Sequence, residues 1–190
     1  MNRTPMFFVF RLLTSLCLIY LGALSSHGQL SEFAAREKQS RALEIVQTDA
    51  LLSVDTVQSA STFQVAIIMN FEEGWHANAN PAGENLIPTE VILSEHTDLK
   101  FGEVIYPAGE ELDIASIGKA PVYHRQTIIG FQATVADSAH IQKTNLLLSL
   151  IYQACSNEKC LLPVTIDITL PIEIVGNDQP VQRINDAIFA

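Results

Sequence analysis

The residues best equipped for chemistry are Cys155 and Cys160, separated by four residues in "YQACSNEKCLLP". The 190-residue chain has one further cysteine, Cys17. It lies in an N-terminal segment that reads as discarded, so two cysteines remain, and in an oxidising compartment pairing is the default. A bridge closing a loop of about 6 residues contributes roughly 2 kcal/mol in the chain-entropy treatment, the weak end of the range for disulfides. A staple for stability would join distant strands. A bridge between near neighbours is easily opened, which suits exchange: a thiolate attacks, a disulfide accepts, and a second thiol close by resolves the mixed disulfide. Lys159 favours a thiolate at Cys160 and Glu158 opposes it, so their effects partly cancel. On these residues alone a structural and an exchanging disulfide both stand.

Other chemistries have less behind them. C-x4-C offers zinc two ligands, and no second cysteine pair or H-x3-5-H motif follows, so no metal is expected. His76, His96, His124 and His140 are scattered singly and read as surface or turn residues. A Cys–His hydrolase fits poorly, because a pairing cysteine is blocked as a nucleophile. The carboxylates show no paired spacing for acid–base work, and no cofactor is called for.

The elements that position the pair begin after a targeting segment. Arg3 gives a positive start, Phe7 to Leu24 is largely apolar, and Ser26 and Gly28 supply small residues, which reads as a signal peptide over residues 1–28. A membrane anchor fits less well, since Arg11 leaves only 13 apolar-rich residues to Leu24 where about 20 are needed. Leu16 before Cys17 argues against a lipoprotein site. Cleavage would take the formal charge from -10 to -12, nine basic against 21 acidic residues. That balance disfavours nucleic acid and anionic lipid as partners, which require clustered Lys and Arg. No later segment is apolar and long enough to span a bilayer, so no stable membrane insertion is expected after cleavage.

"SEFAAREKQSRALEIV" from Ser31 reads as a short helix or an extended lead-in. "TFQVAIIMNF" places Phe63, Val65, Ile67, Met69 and Phe71 at every second position, the period of a strand with one buried face. Similar runs follow in "PTEVILSE", "LKFGEVIYP", "TIIGFQATV", "NLLLSLIYQA" and "PVTIDITLP", punctuated by proline and glycine. Leu146, Leu148, Leu150 and Tyr152 share one face, as do Val164, Ile166, Ile168 and Leu170. Six to eight strands in about 130 residues, with no helices between them, predict an all-β, immunoglobulin-like antiparallel β-sandwich. The weakly patterned stretch Pro107 to Pro121 reads as a long loop, either an ordinary exposed connection or a functional, covering one.

"GWHANANPAGENLIPTEV", "YPAGEE", "VYHRQ" and "YQACSNEKCLLP" together resemble the N-terminal periplasmic domain of the thiol:disulfide interchange protein DsbD, from about Leu43 to Ile174. The resemblance implies an immunoglobulin-like fold whose cysteine pair takes electrons from a thioredoxin-like domain and passes them to periplasmic disulfide proteins. It implies that Cys160 carries the mixed disulfide with Cys155 as its partner, framed by Tyr152 and Pro163. It also implies a cap loop over the cysteines within Glu111 to Gly118, to which Leu112, Ile114 and Ile117 would contribute, with Tyr123 following. Some members place aromatics there, where this chain has aliphatic residues. Full-length DsbD continues into membrane and thioredoxin-like domains, so the electron donor here is expected to be a separate thioredoxin-like or membrane protein.

The reading is thus a signal peptide (1–28), a lead-in (29–42), an interchange domain (43–176) and a tail (177–190), acting in the periplasm as a protein-disulfide reductase relay. Its rival is a non-catalytic immunoglobulin-like binding or scaffold module with a structural disulfide.

Overall fold

The computed structural model describes residues 40–114 and 118–189. The expected signal peptide, Cys17 and Ile117 lie outside them. In chain order the strands are β1 (Val46–Leu52), β2 (Val57–Gln58), β3 (Thr62–Phe71), β4 (His76–Asn78), β5 (Glu90–Leu93) and β6 (Leu99–Phe101). They continue with β7 (Glu110–Ile114), β8 (Gly118–His124), β9 (Gln126–Val135), β10 (Gln142–Tyr152), β11 (Ala154–Cys155) and β12 (Val164–Val175). Among the described residues no helix is long and apolar enough to cross a membrane.

Two sheets make the sandwich. One runs β1-β3-β9-β6 and the other β2-β12-β10-β5, antiparallel throughout except for the short β2–β12 pairing. The alternation read from sequence is what joins them: Phe63, Val65, Ile67 and Met69 of β3 and Ile129, Phe131 and Ala133 of β9 share one core with Leu146, Leu148, Leu150 and Tyr152 of β10. Val164, Ile172 and Ile174 of β12 complete it, with Ile166, Ile168 and Leu170 packed at its margin. Each fully buried aliphatic or aromatic side chain stabilises the fold by about 1.5–3 kcal/mol. This is an all-β, immunoglobulin-like sandwich.

The third sheet, β11-β4-β8-β7, positions the cysteines, and most of it was not read from sequence. Twelve strands stand among the described residues where six to eight were expected, because two- and three-residue strands are too short to display a period. Among the described residues the lead-in is helical over 40–45 and passes straight into β1. The stretch expected as a loop between Pro107 and Pro121 is mostly the β7–β8 hairpin, paired from Glu110↔Val122 to Ile114↔Gly118. Its two glutamates, lysine and glycine dilute the alternation that backbone pairing does not need. Gly109 lets the hairpin lie close: a Cβ there would stand 2.6 Å from the Ala79 Cβ and 2.9 Å from that of Pro121.

Because opposed residues in an antiparallel ladder share a face, the register sorts the third sheet into two. Ala154, Ala77 and Tyr123 lie in one row and join the main core. The row Cys155, His76 and His124 lies on the opposite face, with Asn78, Val122, Ala120, Leu112 and Ile114 in neighbouring rows.

Candidate functional site

The cysteines flank a tight turn. Ser156 N donates to the Lys159 carbonyl at 2.7 Å and Leu161 N to that of Ala154 at 2.8 Å, one bond on either side of the disulfide. The Ser156 hydroxyl accepts from the backbone N–H groups of Glu158 and Lys159, each at 3.3 Å, the local bonding by which serine favours turns. Gln153 Nε2 donates to the Leu161 carbonyl at 2.9 Å. Cys155 and Cys160 thereby face each other as bridge partners, bonded with their Cα atoms 4.0 Å apart. Their settings differ: Cys155 is 4% exposed, and Cys160 is exposed.

Both cysteines line a cavity of about 240 Å³, together with His76, Asn78, Leu86, Ile114, Gln153 and the turn residues. Opposite the turn stands the hairpin, whose Ile114, Ala120 and Val122 form a small apolar cluster with Leu86 and Leu112 packed against it. Leu86 comes from the loop after β4, pinned by asparagines. Asn78 Nδ2 donates to the Ile87 carbonyl and Asn80 Nδ2 to that of Thr89, both at 2.9 Å, while Thr89 Oγ1 donates to the Asn78 carbonyl at 2.7 Å. The Asn80–Pro81 bond within this loop is cis.

Glu158 and Lys159 of the turn bring one charge of each sign to the cavity. His124 Nε2 lies 2.7 Å from Glu110 Oε2, and that hydrogen bond holds the Glu110 carboxyl below its ordinary range. His76 is 3% exposed, and its Nε2 has no hydrogen-bond partner among the described residues. Burial, and secondarily the charge of His124, push its pKa below the ordinary 6.5. The expectation that the histidines are surface or turn residues therefore fails at His76, which opens a buried strand too short to show a pattern.

Of the residues expected at the site, Cys155, Cys160 and Ile114 meet at the cavity. Leu112 packs one row away. Tyr123 lies on the core face, where its hydroxyl accepts from Asn80 N at 3.1 Å and donates to the Pro107 carbonyl at 3.0 Å. Tyr152 is fully buried, donating to the Ala42 carbonyl at 3.1 Å, and burial drives its phenol pKa far up. It holds the end of β10 from beneath. Pro163 is exposed, three residues beyond Cys160. His76, Asn78, Leu86 and Gln153 were not singled out. The one signal for the first three was the "GWHANANPAGENLIPT" block, whose residues lack any period yet converge here.

No curated protein matches the chain. Among solved structures it is similar to the N-terminal periplasmic domain of ScsB from Proteus mirabilis, with a TM-score of 0.47 and 19% identity over 67% of this chain and 46% of that one. The chain thus spans less than half of that relative. It is also similar to the DsbD N-terminal domain of Neisseria meningitidis in the reduced form, with a TM-score of 0.40 and 16% identity over 74% of this chain and 91% of that one. A third similar structure is a complex between the DsbD N-terminal and PilB N-terminal domains of Neisseria meningitidis, with a TM-score of 0.39 and 17% identity over 63% and 80% of the two chains. Residues 43–171 match the family described as thiol:disulfide interchange protein DsbD, N-terminal, and the chain, with its cysteine pair set at the edge of an immunoglobulin-like sandwich, belongs to that family.

Proposed function

We propose that this chain is a periplasmic thiol:disulfide interchange domain of the protein-disulfide reductase type, in which Cys160 exchanges with partners and Cys155 resolves. The observation that carries this reading is the split setting of one disulfide, an exposed Cys160 bonded to a buried Cys155. A partner thiolate can reach the Cys160 sulfur and form a mixed disulfide, displacing Cys155 as the leaving thiolate. A second partner thiol then releases Cys160, and the domain is left reduced. Run in the opposite direction against an oxidised target, the same two steps hand the electrons on.

A thioredoxin-like or membrane donor and periplasmic disulfide proteins as acceptors are the partners this chemistry requires. Leu112 and Ile114 of the β7–β8 hairpin, with Ile117, would cover the pair, while Tyr123, Tyr152 and Pro163 would frame it from the core side and the chain exit. The reduction potential tests the proposal. Equilibrated against glutathione and then against a thioredoxin, the Cys155–Cys160 pair should fall between about -270 and -120 mV, the span of exchanging proteins. A value below about -300 mV, where structural bridges lie, would overturn it.

A further inference from the structure

A buried polar atom without a partner costs about 1–3 kcal/mol, so one kept in a folded protein calls for an explanation. His76 Nε2 is such an atom. His76 is the register partner of Cys155 across the β4–β11 ladder, which puts both side chains on one face at a Cβ spacing of about 5 Å. Both also line the cavity that reaches Cys160. Resting on the exchange reading above, we propose that His76 is the proton acceptor and donor for Cys155 during exchange.

The need arises at Cys155 and not at Cys160. An exposed thiol loses its proton to solvent, whereas burial favours the neutral thiol and leaves little thiolate to attack. In the mixed disulfide, Cys160 Sγ is bonded to a partner sulfur. His76 Nε2 takes the proton of the Cys155 thiol, and the thiolate supplies the electron pair of the new Cys155–Cys160 bond. The bond from Cys160 to the partner breaks, and its electron pair leaves on the partner sulfur. The two cysteines are oxidised to the disulfide, the partner is reduced, and the proton on His76 passes to the departing thiolate or to water. When a partner thiol opens the bridge, the neutral His76 takes up the proton that thiol releases on becoming the attacking thiolate and passes it to the buried Cys155 thiolate.

The surroundings keep the imidazole available. The titratable and charged groups facing it are Cys155 from β11, His124 from β8, which is itself engaged by Glu110 of β7, and Glu158, Lys159 and Cys160 of the turn across the cavity. None bonds Nε2. A neutral base at neutral pH follows from burial and the nearby His124.

The reduced full-length chain carrying Cys17→Ser, so that Cys155 and Cys160 are its two thiols, serves as wild type here. Reacted with 5,5′-dithiobis(2-nitrobenzoate), it separates the steps, one thionitrobenzoate leaving as Cys160 is labelled and a second as Cys155 resolves. In His76→Gln and His76→Phe, checked for wild-type melting, the second release should slow at least tenfold at pH 7 with the first unchanged. The deficit should close at high pH, where the thiol ionises unaided. Wild type needs no variant: its second release should rise through a pKa at or below 6.5 and be level from pH 7 to 8. A second release in folded His76→Gln within twofold of wild type, or a wild-type rate still climbing tenfold per unit through pH 8 as for an unassisted thiol, would overturn the role of His76. A wild type that releases no second equivalent would sink the exchange reading together with it, whereas fast wild-type resolution matched by the variant sinks only the assignment to His76.

Discussion

Cys155 and Cys160 share one bond and occupy two environments, the first 4% exposed within β11 and the second open to solvent at the end of the turn. The asymmetry follows from the local fold. The Ser156–Lys159 turn reverses the chain, and the backbone bond from Leu161 N to the Ala154 carbonyl fixes the register. Cys155 then lies in the ladder against His76 while Cys160 sits at the open edge.

The two thiols should therefore react at different rates. In Cys155→Ser the remaining Cys160 should be alkylated by iodoacetamide at least tenfold faster at pH 8 than Cys155 is in Cys160→Ser, since both exposure and thiolate character favour it. Mass spectrometry of quenched samples reads the rates. Equal rates would mean that the turn opens freely and that burial of Cys155 does not set the roles.

Ile114 is 6% exposed, packs with Ala120 and Val122, and lines the same cavity as the two cysteines. Ile114→Ala should lower stability by about 2 kcal/mol, the low end for truncating a buried aliphatic residue, because this cluster is small and at the margin. If the hairpin covers the pair, the same change should speed reduction of the disulfide by a small thiol severalfold. Destabilisation with an unchanged reduction rate would make Ile114 packing alone.

The sandwich was legible in sequence because its long strands carry a burial period, as Phe63 to Phe71 and Leu146 to Tyr152 do. The cysteines were legible because their residue type and spacing hold the information. What surrounds them was not. His76 and Asn78 belong to a three-residue strand, and their partners arise from a register set by β8 and β11. The β7–β8 hairpin was read as loop, since Glu110, Glu111 and Lys119 satisfy backbone pairing without an apolar alternation. Short strands are specified by their neighbours, and one sequence window does not contain the neighbours.

Stability should depend on pH through His76. Its pKa lies below the unfolded value of 6.5 because burial disfavours the charged ring, so below that pH the unfolded chain binds a proton that the folded chain resists. The stabilisation is present above about pH 6.5 and is lost as pH falls towards the folded pKa. Asp55, Asp98 and Glu110, whose carboxyls are held below their ordinary 3.8, 3.8 and 4.5, act in a lower window. Between pH 7 and 5.5 the urea midpoint of the disulfide-intact wild type should fall more than that of His76→Gln. Parallel curves would show that His76 charges freely in the fold.

Removing residues 177–190 should destabilise the domain while leaving its redox pair unchanged. This segment folds back along the first sheet: Asp55 N donates to the Gln182 carbonyl at 3.1 Å, Ile184 N to that of Ser53 at 3.0 Å, and Asn185 Nδ2 to that of Leu52 at 2.9 Å. Gln182 N closes the contact on Asp55 Oδ1 at 2.9 Å. Beyond these, Ile188 and Phe189 line a groove with Ala66, which explains why β3 buries Ala66 on the face opposite its core residues. Gln58 Nε2 also donates to the Asn177 and Gln179 carbonyls, and these six hydrogen bonds at a net of about 0.5–1.5 kcal/mol each, less the entropy of ordering the tail, predict a loss of roughly 2–4 kcal/mol. None of these contacts involves the third sheet, so the reduction potential of Cys155–Cys160 should stay within about 15 mV of the full chain, half of the 30 mV equivalent to 1.4 kcal/mol for a two-electron couple. Urea denaturation and redox equilibration on the same truncated protein read both quantities. A shift in potential as large as the loss of stability would mean that the first sheet and the cysteine site are coupled through the core.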